Sequence, residues 1–291
     1  MANQSSLNTY GERIDRRLGE LLPPADAVPE KLHEAMRHSC LAPGKRLRPA
    51  LAMACAESIG GNGDSVLDAG CAIEFVHCFS LIHDDLPAID NDDLRRGIPT
   101  CHKVFGEAIA ILAGDALFAL AFDTLANGPW PADQRVRAIR SLTLATGSSG
   151  LVGGETIDIL SEGKPIERST LELIHARKTG SLIASSCEIG AILAGATSDQ
   201  SGQLYRYGQA IGLAFQIADD LLNETSTAAQ LGKAAGSDRE RGKATYPAMF
   251  GVEASRRMAI ETAESGIACL VDIPNPNLLA ELARYSVERL R

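Results

Sequence analysis

Long runs rich in alanine, leucine, isoleucine and glutamate alternate along this chain with short stretches of glycine, proline, serine and asparagine. No apolar–polar alternation of period two runs between turn signals, so the pattern predicts helices and no convincing strand. Breaks between helices are expected at LLPPAD (21–26), GGNGD (60–64), NGPWPAD (127–133), SEGKP (161–165), ATSDQ (196–200) and IPNPN (273–277). None of these resembles a flexible linker, and residues 1–291 read as a single domain. Helices of about 15–22 residues, roughly 22–33 Å long, suit an all-α bundle that encloses an elongated cavity. Residues 107–126, EAIAILAGDALFALAFDTLA, have almost no polar face, which predicts a place near the middle of the bundle or against a partner chain.

Composition narrows the class. With 291 residues and 45% hydrophobic content, the chain can bury a large core. Its net charge of −9, without a basic tract, argues against nucleic-acid binding. The N-terminus lacks the basic-then-apolar pattern of a secretory signal and no apolar run reads as long enough to span a bilayer, so a soluble, cytoplasmic protein is expected. Seven cysteines without CxxC spacing disfavour a disulfide framework or a structural zinc site, and most should be small buried hydrophobes.

The chemistry concentrates in residues 83–97, HDDLPAIDNDDLRRG, where Asp84, Asp85, Asp90, Asp92 and Asp93 precede Arg95 and Arg96. Clustered carboxylates repel one another, and their hard oxygens suit Mg²⁺ better than zinc or copper, whereas the arginines need an anion. Residues 65–83 follow a helical pattern, with His77, Ser80 or Leu81, and Asp84 along one stripe. Pro87 should end that helix, so that Asp90 folds back from a turn and converges with Asp84 and Asp85 on shared metals. A second acidic pair lies in GLAFQIADDLLNE, where Gln216, Asp219, Asp220 and Asn223 share one helical face. Like charges in an apolar helix are costly, which favours metal binding over a solvated acidic helix end. Together the two clusters describe a diphosphate held through magnesium ions.

These residues resemble the trans-type polyprenyl diphosphate synthases, particularly the bacterial farnesyl diphosphate synthases. The resemblance runs over nearly the whole chain, through PGKRLRPAL (43–51), IEFVHCFSLIHDDLPAIDNDDLRRGIPTCH (73–102), LAGDAL (112–117), GGETIDI (153–159), RKTGSLI (177–183), GLAFQIADD (212–220) and LGKAAGSDRERGKATYP (231–247). It implies an all-α isoprenoid-synthase fold, usually a homodimer, that condenses isopentenyl diphosphate with an allylic diphosphate. On the resemblance, Asp84 and Asp90 hold two Mg²⁺ ions and Asp219 a third; Asp85 supports them, and Asp220 and Asp238 act through water. Arg95, Lys178, Gln216, Lys233 and Lys243 correspond to positions that hold the allylic diphosphate, with Thr179 in the same pocket. Lys45, Arg48, His77 and Arg96 correspond to the isopentenyl diphosphate site. Asp84, Asp85, Asp90, Arg95, Lys178, Asp219 and Lys233 are thus the expected catalytic set. Gly232, Gly236 and Gly242 suggest a lid over the diphosphate.

Two positions depart from the family pattern. Asn223 stands where the second acidic motif usually ends in an acid, and Asn91 replaces a commonly acidic residue of the first. Product length is expected to depend on Phe79 and Ser80, which precede Asp84 by five and four positions and shape the tunnel floor in such enzymes. A bulky Phe79 predicts the C15 product, farnesyl diphosphate, with geranylgeranyl diphosphate as the alternative. A terpene cyclase needs no isopentenyl diphosphate site, so GKRLRP, His77 and Arg96 argue against it. A regulatory synthase subunit would tend to lose the first acidic cluster.

Overall fold

The computed structural model describes residues 2–225 and 243–288, and among them extended structure is confined to one hairpin of two-residue strands. Helices α1 (Ala2–Leu21), α2 (Glu30–Cys40) and α3 (Leu47–Ser58) lead through a short 3₁₀ turn into α4 (Leu67–Asp84). The hairpin pairs β1 (Leu94–Arg95) with β2 (Ile98–Pro99) antiparallel, Leu94 opposite Pro99 and Arg95 opposite Ile98. Then follow α5 (Cys101–Phe105), α6 (Glu107–Ala126), α7 (Ala132–Thr146), α8 (Leu151–Ser161) and α9 (Arg168–His175). A π-helical turn, Ala176–Gly180, joins α9 to α10 (Ser181–Leu193), and α11 spans Ser198–Thr225. Helices Tyr246–Phe250, Val252–Ala268 and Asn277–Glu288 complete the described chain.

The predicted breaks all fall at helix boundaries, where proline lacks the N–H that would continue the ladder and glycine, serine, aspartate and asparagine favour turns and caps. The core is built around α4 and α10, whose side chains are buried on most sides. Helix α4 packs on α6 and α3, while α10 packs on α3, α7 and α11. All seven cysteines are free thiols, and Cys40, Cys55, Cys71, Cys78, Cys101 and Cys187 are buried.

Two readings of the sequence need correction. The helical stretches Gly63–Asp84 and Glu107–Ala126 are in fact long and apolar enough to cross a bilayer. The first owes that composition to its place in the core, since a helix covered by neighbours needs no polar face. Nor is α6 at the middle of the bundle: Ala110, Ala113, Leu117, Ala121 and Leu125 are buried, whereas Ile111 and Leu112 on its other side are 43% and 52% exposed.

Candidate active site

Helix α4 ends at Asp84, and the chain reverses at once. The backbone N–H of Asp90 donates to the Asp84 carbonyl at 2.8 Å, and that of Asn91 to Leu86 at 3.0 Å. Pro87 brings the helix to its end as expected, and both Asp84 and Asp90 come to line one cleft. Asn91 occupies the left-handed region with φ 54°, a conformation asparagine tolerates better than most residues. The residue that departs from the acidic pattern is therefore the turn residue. Arg96 (φ 55°) and Gly97 (φ 83°) form the two-residue turn of the hairpin, where both central residues have positive φ.

The cleft, of about 190 Å³, is lined by Asp84, Asp90, Arg95, Asp158, His175, Lys178, Thr245, Gln216, Asp219, Asp220 and Lys243. Helix α8 supplies a pair of acids missed in the sequence reading. Glu155 and Asp158 lie 2.6 and 2.7 Å from Lys178 Nζ. Gly154 makes that contact possible, because a Cβ there would stand 2.3 Å from the Lys178 backbone nitrogen. Lys243 reaches Asp90 at 3.3 Å. Burial, then Glu155 and Asp90, push the Asp84 carboxyl up to about 8 in spite of Lys178 and Arg95. Burial works against the charge on Lys178, but Asp158, Glu155 and Asp84 outweigh it and hold its ammonium above the ordinary lysine range.

The second acidic pair divides. Both line the cleft, but Asp220 is only 4% exposed and its oxygens accept from protein donors. Gln216 Nε2 donates to Oδ1 at 2.9 Å, while the Tyr246 backbone N–H (3.0 Å) and His175 Nε2 (3.2 Å) meet Oδ2. Asp220, for which the resemblance implies a contact through water, thus meets three donors of the protein itself. Helix α11 runs unbroken through Asn223, so the four residues share one face as read from the sequence, but Asn223 is buried and does not line the cleft. Lys233, Asp238 and the glycines at 232, 236 and 242 lie outside the described residues.

Does this donor set suit Mg²⁺? Among the described residues no three of His, Cys, Asp or Glu are gathered tightly enough to hold one ion as they stand. The carboxylates of Asp84, Asp90 and Asp219 nevertheless face one cleft with hard oxygen donors. Burial and neighbouring acids disfavour the charge on Asp84, and a divalent cation would relieve that cost. The residues fit the metal.

A second cationic group adjoins the first. Arg48 has a buried Nε with no hydrogen-bond partner, and burial together with Arg96 lowers its guanidinium to about 10. Arg96 lies 3.3 Å from His77 Nε2, and burial plus the surrounding arginines hold His77 well below its ordinary value. An anion would relieve this crowding. Arg95, by contrast, turns to the acids: it binds Asp85 with both Nε, at 2.9 Å, and an Nη, and reaches Asp92 at 3.1 Å.

A profile of the family described as polyprenyl synthetase matches residues 29–267. The chain belongs to the polyprenyl synthetase family. These proteins are trans-prenyltransferases, and members generally use Mg²⁺. The chain is 46% identical over 248 residues to geranylgeranyl pyrophosphate synthase 4 of Arabidopsis thaliana, covering 84% of this chain and 66% of the plant protein. It thus spans about two thirds of that relative's length. It is also 46% identical to a dimethylallyltranstransferase of Fischerella ambigua, over 90% of this chain and 77% of the other. Its fold is similar to that of an FPP/GFPP synthase from Zymomonas mobilis, with TM-score 0.87, 37% identity and coverage of 98% and 99% of the two chains.

In this polyprenyl synthetase, two residues beside the expected phosphate ligands were also missed. Arg46, at φ 48° and 2% exposed, is held by Asp15 (2.6 Å), Glu74 (2.9 Å) and the carbonyls of Cys40 (2.9 Å) and Ala42 (2.8 Å). It locks the loop that bears Lys45, which is exposed, at the point where α3 begins and Arg48 stands in its first turn. His175 had no sequence signal beyond its nearness to Lys178. Thr179 Oγ1 donates to Gln216 Oε1 at 2.8 Å, so both expected pocket residues meet. Phe79 lies edge-on to His83 with centroids 4.9 Å apart and against Phe118 at 5.0 Å, which in turn meets Phe122. Ser80 is buried and donates to the His77 carbonyl at 2.9 Å.

Proposed function

We propose that this polyprenyl synthetase condenses isopentenyl diphosphate head-to-tail with an allylic diphosphate to give a short-chain all-trans prenyl diphosphate. The observation that carries this reading is the pair of cationic groups on either side of the Arg95–Arg96 peptide. One stands among the carboxylates of the cleft, while in the other Arg48, with a buried unpaired Nε, crowds against Arg96 and His77, which suits one anion that arrives with metal and one that arrives without. Three Mg²⁺ ions, held by Asp84, Asp90 and Asp219, would supply positive charge to the leaving diphosphate. Lys178, Lys243, Arg95 and Gln216 bind and orient that group, with Lys233 and Asp238 completing the expected set. Lys45, Arg48, His77 and Arg96 orient the isopentenyl diphosphate.

The allylic C–O bond breaks, and its electron pair leaves with the diphosphate. The alkene of isopentenyl diphosphate attacks the allylic cation to form the new C–C bond, and a proton then passes to the departed diphosphate. Low His77 basicity supports a phosphate-facing donor over a general base. The cationic group around Arg48 and Arg96 speaks against a terpene cyclase, which needs one anion site.

For product length, the names of plant relatives such as geranylgeranyl pyrophosphate synthase 4 support a C20 product. Phe79, set against Phe118, favours a second reading in which growth stops at C15, farnesyl diphosphate. Each further isoprene unit adds five carbons, about 4 kcal/mol of apolar burial, so a blocked floor has leverage on where elongation ends. A homodimer belongs to the same proposal, supported by the exposed apolar side of α6, as does a cytoplasmic location, supported by the free thiols.

The test incubates the protein with Mg²⁺, isopentenyl diphosphate and dimethylallyl, geranyl or farnesyl diphosphate and measures product length. Consumption of farnesyl diphosphate to C20 supports the first reading, and accumulation of C15 the second. Absence of condensation with every starter overturns the proposal.

A further inference from the structure

Three separate chain segments meet at one buried carboxylate. Asp220, on α11, accepts from Gln216 one helical turn before it, from His175 at the end of α9, and from the backbone of Tyr246, which opens the helix after Lys243–Ala244–Thr245. The imidazole of His175 stacks on the Tyr246 ring, with centroids 5.4 Å apart and planes 18° from parallel. The hydrogen bonds close into a ring. Thr179 donates to Gln216 Oε1, which fixes the amide so that its Nε2 faces Asp220, and Thr179 follows His175 through the π-helical turn. Lys178 projects from that same turn.

We infer that His175, Asp220 and the start of the Tyr246 helix form a positioning junction that sets Lys178 and Lys243 opposite Asp84 and Asp90. This rests on the proposed function, in which those lysines hold the allylic diphosphate. The physical argument is one of complete satisfaction. A buried carboxylate with three donors from three segments is rigid, whereas losing one donor leaves part of it unpaired in a setting where that is expensive. Since two of the donors belong to the segments that carry the lysines, loss of the junction is felt as misplacement of those ammonium groups. Rare π-helical turns also widen the helix locally and occur often at functional sites. Here the turn brings Lys178 to the α8 acids while His175 stays on Asp220. In this arrangement Asp219 alone of the second acidic pair is left to serve the metal, and Asp220 is a positioning residue.

The test measures steady-state kinetics for both substrates, together with calorimetric binding of inorganic diphosphate and Mg²⁺. His175→Leu is expected to raise KM for the allylic diphosphate at least tenfold and weaken inorganic diphosphate binding comparably, with KM for isopentenyl diphosphate changed less than twofold. His175→Gln, which keeps an N–H donor toward Asp220, should recover most of the loss. Should His175→Leu fail to fold, His175→Asn carries the test, because its shorter amide does not reach Asp220. An unchanged allylic KM, or equal changes in both KM values, overturns the junction. Lys178→Ala serves as the control: if it leaves the allylic KM unaltered, the proposed function falls, and the junction with it. If Lys178→Ala raises that KM and the His175 variants do not, the junction alone is refuted.

Discussion

Replacing Arg46 with methionine should destabilise the protein more than any other substitution of a charged residue near the cleft. The guanidinium fills a pocket bounded by α1, α2 and α4, and its partner Glu74 is only 1% exposed. Methionine fills similar volume but leaves Glu74 buried without its cation and the carbonyls of Cys40 and Ala42 without their donor. Breaking a buried ion pair from one side costs about 3–5 kcal/mol. With an unfolding entropy of about 2.1 cal/mol/K per residue, a chain of this size loses roughly 5–8 °C in Tm. Glu74→Gln keeps a neutral acceptor for Arg46 and should cost about 1–2 kcal/mol. Differential scanning calorimetry measures both variants. Function should change selectively as well, because Arg46 fixes the backbone between Lys45 and Arg48: among molecules still folded, KM for isopentenyl diphosphate should rise more than KM for the allylic substrate. A Tm drop under about 2 °C for Arg46→Met, or a Glu74→Gln cost equal to it, would refute the buried-pair reasoning.

Three further outcomes are expected. The raised Asp84 carboxyl means that, between about pH 4 and 8, the metal-free folded chain holds a proton that the unfolded chain releases. Stability from this group therefore declines as pH rises through that window and levels off above it; melting curves in chelator should show a flatter pH profile for Asp84→Asn, and identical profiles would remove the effect. Gly154→Ala places a methyl against the Lys178 backbone and should cost about 1–3 kcal/mol in stability while raising the allylic KM, as kinetics on the folded fraction would reveal. Phe79→Ala should lengthen the product by one isoprene unit in a chromatographic assay, and an unchanged product would dismiss Phe79 as the stop.

Much of the architecture could be read from periodicity and punctuation, and Pro87 alone foretold that Asp90 would fold back toward Asp84. What stayed hidden shares a physical cause: its meaning lies in contacts distant along the chain. Arg46 beside Lys45 looks like one more solvated cation until α4 delivers Glu74, twenty-eight residues away. The paired Asp219 and Asp220 look equivalent until the Tyr246 segment claims the second. Two-residue strands are too short to show alternation, so the hairpin bearing Arg95 left no trace. The turn at Ala176–Gly180 differs from an ordinary helix by a single inserted residue, and nothing in ARKTG announces it. Which of its two expected places α6 takes stayed open for a simpler reason, since apolar residues all around a helix do not reveal which side its own chain will cover.

The two-residue turn at Arg96–Gly97 carries a mechanical consequence. Arg95 faces the acids and Arg96 faces His77, yet their Cα atoms are consecutive, about 3.8 Å apart. The spacing between the two anchorages is set by covalent bonds and a reverse turn, and not by how the surrounding helices happen to sit. Breathing of the bundle can widen or narrow the cleft while these two charges travel together as one stiff gauge, so partners gripped from either side are kept in step.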